Sequence, residues 1–305
     1  MMPQDQFNSA MMALKRVERI GNSRLFKLTS KVVNMIEEGS LDAESLSIVA
    51  NEDSVVPRCG PDDISRWMDE ADSNIGKWAK DGIRLASPNS RDYPDSLKAI
   101  NQAPFFLYYK GDISPLARQN AAIVGTRNPS DEGRRQARNI GRKLAGIGIG
   151  VVSGLALGCD TAGHEGALDG GGYTCAVLAH GLDMVSPASN RDLASRILDS
   201  GGSLVSEHPP GTKPLGRYFA MRNRIQSGLS NHVIVIETSM TGGTMHTARF
   251  ASEQGKSIGV LEFHEGMSDP DFSMAIETIE TQLSGEKLSN LSQIERFVTS
   301  APEEE

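Results

Sequence analysis

Aromatic residues make up only 5% of the 305-residue chain, and cysteine is rarer still, with three residues. An odd number of cysteines without a CxxC pair excludes a disulfide framework or a zinc cage as the basis of the fold. Cys59, Cys159 and Cys175 therefore read as small buried side chains. No run approaches the ~18 uninterrupted apolar residues of a membrane span, and the opening residues carry no apolar stretch of secretory length. No membrane role is expected, and a cytoplasmic location is. Neither GxGxxG nor GxxxxGK[ST] occurs, which argues against a tightly held dinucleotide and against a magnesium-dependent NTPase; no cofactor and no metal are expected.

What is present is an ordinary globular composition, 38% hydrophobic and 23% charged, with 31 glycines that imply many tight loops. The formal charge of -8 is unevenly spread. Residues 264–305 hold ten acids and two bases, so residues 1–263 are neutral. The acidity belongs to the end of the chain, which reads as an acidic tail, partly helical through Leu288, Leu291, Ile294 and Phe297 or disordered.

Residues 1–81 place apolar side chains at helical spacing, as in Leu25, Leu28, Val32, Val33 and Ile36, and read as a small helical module. An irregular connector follows from Gly82, with a Phe105-Phe106-Leu107-Tyr108-Tyr109 run expected to pack onto the next domain. Six short apolar runs come after it, at Ala122–Gly125, Gly150–Ser153, Thr174–Leu178, Ser203–Ser206, His232–Glu237 and Ser257–Leu261. Helical stretches such as Asp131–Ala145 separate most of them. Alternation of this kind predicts an α/β fold over residues 82–263, with an extended Rossmann-like, doubly wound and mostly parallel sheet. Ligands of such sheets bind beyond the carboxyl ends of the strands, and glycine and hydroxyl residues crowd those ends here.

Glycine-rich turns that open a helix aim backbone N–H groups at an anion, so the loops at Gly125–Ser130 and Thr241–Thr247 are candidate phosphate sites. Thr126, Ser130, Thr244 and Thr247 add donors. Between His208 and Ile236 there is no acidic residue, while Lys213, Arg217, Arg222 and Arg224 fall there beside Tyr218 and Phe219. Cations next to aromatics suit single-stranded nucleic acid, whose backbone needs positive charge and whose bases stack for ~1–3 kcal/mol each. Arg127 adds a cation at the end of the first predicted strand. Asp160 and His164, four apart, read as a hydrogen bond fixing a loop to its helix, and Ser153 lacks the GxSxG context of a hydrolase nucleophile.

Together the motifs resemble those of the DprA/Smf DNA-processing family. The likeness begins with Asp92-Tyr93-Pro94 and Leu107-Tyr108-Tyr109-Lys110-Gly111. It continues through VGTRNPSDEG, VVSGLALGCDTAGHEGAL, AVLAHGLD, PASNRDL, SEHPPGTKP, FAMRNRIQSGLS and ETSMTGGTMHTARFASEQGK, over about residues 83–261. The resemblance implies a Rossmann-like protein that binds single-stranded DNA, loads a RecA-type recombinase, acts without catalysis and forms a homodimer. Carried over by position, Arg127 is the arginine of the GTR loop and Phe219, Arg222, Asn223 and Arg224 form the F..RNR segment, with Lys213 just upstream; together with the rim residues Gly125, Thr126, Ser153, Gly154, Gly242, Gly243 and Thr244 they are the expected DNA-binding residues. The chain departs from the family's usual Pro-Gly turn after the last strand, reading Leu261-Glu262-Phe263-His264-Glu265-Gly266. The alternative is a nucleotide-binding or nucleotide-hydrolysing enzyme, because Thr241-Gly242-Gly243-Thr244 is similar to the phosphate loop of nucleoside-monophosphate phosphoribohydrolases. Such an enzyme needs a glutamate beside that loop, and the nearest is Glu237.

Overall fold

Phe7, Met11 and Leu14 recur at three- and four-residue intervals and are fully buried, as the apolar stripe of a core-facing helix should be. They lie on α1 (Pro3–Arg16), followed by α2 (Asn22–Glu37), α3 (Ala43–Asn51) and α4 (Pro61–Lys80). The structure is a computed structural model and describes residues 3–52, 58–262 and 270–300. It divides into two compact units, the first comprising residues 1–93 and 102–108, the second residues 94–101 and 109–305.

In the first unit the Asp42 carboxylate accepts the Ser45 backbone N–H at 2.8 Å and caps α3. Leu25, Leu28, Val32 and Met35 form the buried face of α2. The short strand β1 (Arg84–Ala86) closes the helical run. The aromatic segment expected to pack onto the following domain is largely claimed by this unit. The Phe105 ring meets Phe26 edge-on at 5.2 Å and Tyr108 meets Trp78 at 5.4 Å, so helical apolar surface captures it.

The second unit opens with α5 (Asp95–Lys98), and β2 (Leu107–Gly111) straddles the division between the units. Strands and helices then alternate: β3 (Asn120–Val124), α6 (Asp131–Gly146), β4 (Gly150–Ser153), α7 (Cys159–Asp169), β5 (Thr174–Leu178), α8 (Arg191–Asp199), β6 (Ser203–Ser206), α9 (Gly216–Gly228), β7 (His232–Val235), α10 (Gly243–Glu253) and β8 (Ser257–Leu261). The six predicted strands are all present, and four of them have the predicted bounds. This is an α/β protein with a parallel, Rossmann-like sheet whose strands run β6-β5-β4-β3-β7-β8. The chain winds outward from β3 to β6, then returns to lay β7 on the other side of β3. That reversal makes the ends of β3 and β7 the switch point where a ligand crevice opens.

Much of the segment expected as a partly helical acidic tail packs onto the sheet. Residues 270–300 form α11 (Pro270–Gln282), β9 (Glu286–Leu288) and α12 (Leu291–Thr299). β9 pairs in parallel with β8, Gly259 opposite Glu286, and extends the sheet by one strand. Leu288, Ile294, Phe297 and Val298 join the core on the face covered by α6 and α7, while Phe272, Ala275, Ile276 and Ile279 of α11 join the core on the α10 face. The turn after β8, from Phe263 to Gly266, lies outside the described residues.

Candidate nucleic-acid interface

Three loops meet at the switch point. The Thr126 N–H donates to the Glu237 carbonyl at 2.7 Å, tying the end of β3 to the end of β7. The loop after β4 locks onto the first from the other side, where Cys159 N–H donates to the Thr126 carbonyl at 3.2 Å. Gly158, with φ of 79°, packs so closely that a Cβ would lie 2.5 Å from the Thr126 carbonyl and 2.6 Å from that of Arg127. Asp160 holds this loop in shape by accepting the Gly154 and Ala156 N–H groups at 3.1 and 3.3 Å, as expected of it. His164 serves elsewhere, its Nδ1 lying 2.7 Å from the Thr174 hydroxyl. Among the described residues no cluster of three or more His, Cys, Asp or Glu side chains is placed to hold a metal ion.

The two candidate phosphate loops differ. At the first, Ser130 caps α6 by accepting the Gly133 N–H at 3.0 Å. The Glu237 carboxylate accepts the Ser130 N–H at 3.0 Å and its hydroxyl at 3.2 Å. An internal carboxylate therefore fills the place where a phosphate would sit at that helix. At the second, α10 begins at an N-cap glycine, Gly242, with no side-chain cap and no acid in its first turn. Its N-terminal loop faces a cavity of about 450 Å³ lined also by Gly125, Thr126 and Arg127 from the end of β3 and by Phe219, Arg222 and Asn223 from α9. The open helix end, not the capped one, carries the field an anion would feel.

Above this cavity the exposed Arg127 guanidinium lies over the Phe219 ring, 5.3 Å from its centroid. On the neighbouring position of α9, Arg217 lies over Tyr218 at 5.1 Å. Asn223 Nδ2 donates to the Gly243 carbonyl at 3.0 Å and joins α9 to the α10 loop. Arg222 is a different kind of cation: it is 5% exposed and donates to the Val177 carbonyl. Burial pushes its pKa down to about 10, opposed by Asp160 and reinforced by Arg127.

The structure brings nine of the thirteen expected residues to the cavity wall: Gly125, Thr126, Arg127, Phe219, Arg222, Asn223, Gly242, Gly243 and Thr244. Four lie elsewhere. Ser153 is fully buried and its hydroxyl donates to the Ile123 carbonyl at 2.6 Å inside the sheet. Gly154 packs under the Arg222 guanidinium. Lys213 stands exposed on the loop before α9 and does not line the cavity. Arg224 is 3% exposed and pairs with both oxygens of Glu207, at 2.8 and 2.7 Å, so a carboxylate just outside the acid-free window neutralises it. Sequence reasoning missed Gln226, Thr238 and Ser239, which also line the wall. Helical spacing was the available signal for Gln226, three and seven residues beyond Asn223 and Phe219.

The model of the family described as DNA recombination-mediator protein A matches residues 84–280. Protein Smf of Escherichia coli (strain K12) is 40% identical over 177 residues, 58% of this chain and 47% of that protein, so the chain spans about half of its length. The X-ray structure of DNA processing protein A from Streptococcus pneumoniae is similar with a TM-score of 0.74 at 28% identity, covering 94% of this chain and 96% of that one. DNA processing protein A from Helicobacter pylori, studied for its mode of binding single-stranded DNA, is similar with a TM-score of 0.61 at 26% identity, covering 69% of this chain and 93% of that one.

Proposed function

The chain belongs to the DNA recombination-mediator protein A family, and from that premise we propose that it binds single-stranded DNA at the β3–β7 switch point and delivers it to a RecA-type recombinase. The observation that carries this reading is the Arg127–Phe219 pair: an exposed cation held against an aromatic face at the mouth of a glycine-lined cavity. Backbone phosphate engages Arg127 and the open N-terminus of α10, and a base stacks beside Phe219. Gly125, Thr126, Asn223, Gly242, Gly243 and Thr244 form the wall that admits the backbone. Lys213 acts, if DNA extends past the mouth, as an outlying phosphate contact; Ser153, Gly154 and Arg224 act as scaffold. The protein works in the cytoplasm as a homodimer and as a mediator without catalysis. Against the hydrolase alternative stands Glu237, whose carboxylate is committed to Ser130 and so is not poised over the Thr241–Thr244 loop.

Titration of oligo-dT and of a duplex of the same length at several ionic strengths tests the reading. Tighter binding of the single strand is expected, with a log–log salt slope that falls in magnitude by about 0.7 in Arg127→Ala. Equal affinity for duplex, or an Arg127→Ala protein with unchanged slope, contradicts it.

A further inference from the structure

Charge and position in the sequence mark Arg222 as a phosphate ligand, but its surroundings describe a different task. Its guanidinium lies flat against Gly154, where a Cβ would come within 2.0 Å of Nη1 and 2.4 Å of Cζ. One end donates to the Val177 carbonyl of β5, and Nε is buried without a partner. The charge it faces is Asp160, whose carboxylate gathers the Gly154 and Ala156 N–H groups. Asn190 completes the clamp by donating to the Leu155 carbonyl and to the Thr161 hydroxyl, both at 2.9 Å. This loop ends in the Gly158 and Cys159 contacts that support the backbone of Thr126 and Arg127.

We propose that Arg222 is a positioning residue: its guanidinium braces the Gly154–Cys159 loop, and that loop holds Arg127 at the mouth of the cavity. The inference rests on the single-stranded DNA reading of the site and changes the role of one residue within it. Planarity is what the task requires. A flat fork fits between Gly154 and β5, whereas a lysine ammonium keeps the charge but presents a single tetrahedral point. A direct phosphate contact has the opposite requirement, since charge at that place is what counterion release reads.

The Arg222→Lys variant separates the two. Positioning predicts roughly tenfold weaker oligo-dT binding, a salt slope reduced by about 0.7 although no charge is lost, and no further reduction when Arg222→Lys is added to Arg127→Ala. In the DNA-free protein it also predicts faster amide exchange across residues 154–161 and at Arg127. Should Arg222→Lys fail to fold, Gly154→Ala leaves Arg222 in the chain and displaces its guanidinium, with the same four outcomes expected. An unchanged slope in Arg222→Lys with loop amides as protected as in the wild type overturns the proposal and makes Arg222 a phosphate ligand. Independent, additive losses from Arg127→Ala and Arg222→Lys overturn it too. If the wild-type protein binds no single-stranded DNA, the functional reading falls, while the exchange measurement still decides whether the brace exists.

Discussion

Arg222 and Arg224 stand two positions apart in one Arg-Asn-Arg sequence, yet a helix of 3.6 residues per turn sends them to different environments. Arg224 enters a buried fork-to-fork pair with Glu207, with both side chains at most 16% exposed. Removing one member of such a pair strands the other charge, so Arg224→Ala should lower stability by about 3–5 kcal/mol, read as the urea midpoint at unchanged m-value. A variant that keeps wild-type stability but loses DNA affinity contradicts the scaffold role. The acid-free stretch from residue 209 to 236 was legible in the chain. The partners of its bounding acids were not: Glu207, just after β6, pairs with Arg224, and Glu237, just after β7, accepts from Ser130. Local charge counts carry no information about which carboxylate a loop returns to a cation.

At the scale of elements, periodicity located the six central strands because each is a short apolar run between helices, buried on both sides. It failed at β9 for a physical reason. β9 is three residues, Glu286–Leu288, of which only Leu288 is buried, so its strand character lies in pairing with β8 and not in its own sequence. The spacing of Leu291, Ile294 and Phe297, by contrast, does mark α12 as an amphipathic helix, and Ile294, Phe297 and Val298 enter the core. Phe297 also meets His232 edge-on at 5.1 Å. Phe297→Ala should therefore cost about 3–5 kcal/mol, measurable by thermal or denaturant unfolding. A near-neutral change would return residues 291–299 to the status of a tail.

For the whole molecule, a doubly wound parallel sheet was implicit in the alternation, but the strand order β6-β5-β4-β3-β7-β8, and with it the place of the reversal, was not. That reversal is what brings Arg127 to Phe219, 92 positions on in the chain. The packed interior also sets a pH limit. His164 is fully buried, and burial together with the charge of Arg222 pushes its pKa down to about 3 from an ordinary 6.5. The Thr174 hydroxyl donates to the Val151 carbonyl at 2.9 Å, so it is left to accept from Nδ1–H of a neutral imidazole. A depressed folded-state value means that the His164 contribution is complete above about 6.5 and is lost as pH falls from there toward 3. Wild-type stability should decline over that window, and His164→Gln should flatten the decline; an identical pH profile for the two proteins contradicts this.

The claim on which the account depends is that α9 and the β3 loop touch an unpaired strand. Photocrosslinking of oligo-dT containing iododeoxyuridine, followed by mass-spectrometric mapping of the adducts, examines that contact directly. Adducts should concentrate on Phe219 and its neighbour Tyr218, with Arg127→Ala lowering their yield. Crosslinks confined to residues 1–93, or a yield at Phe219 that Arg127→Ala leaves unaltered, would contradict it.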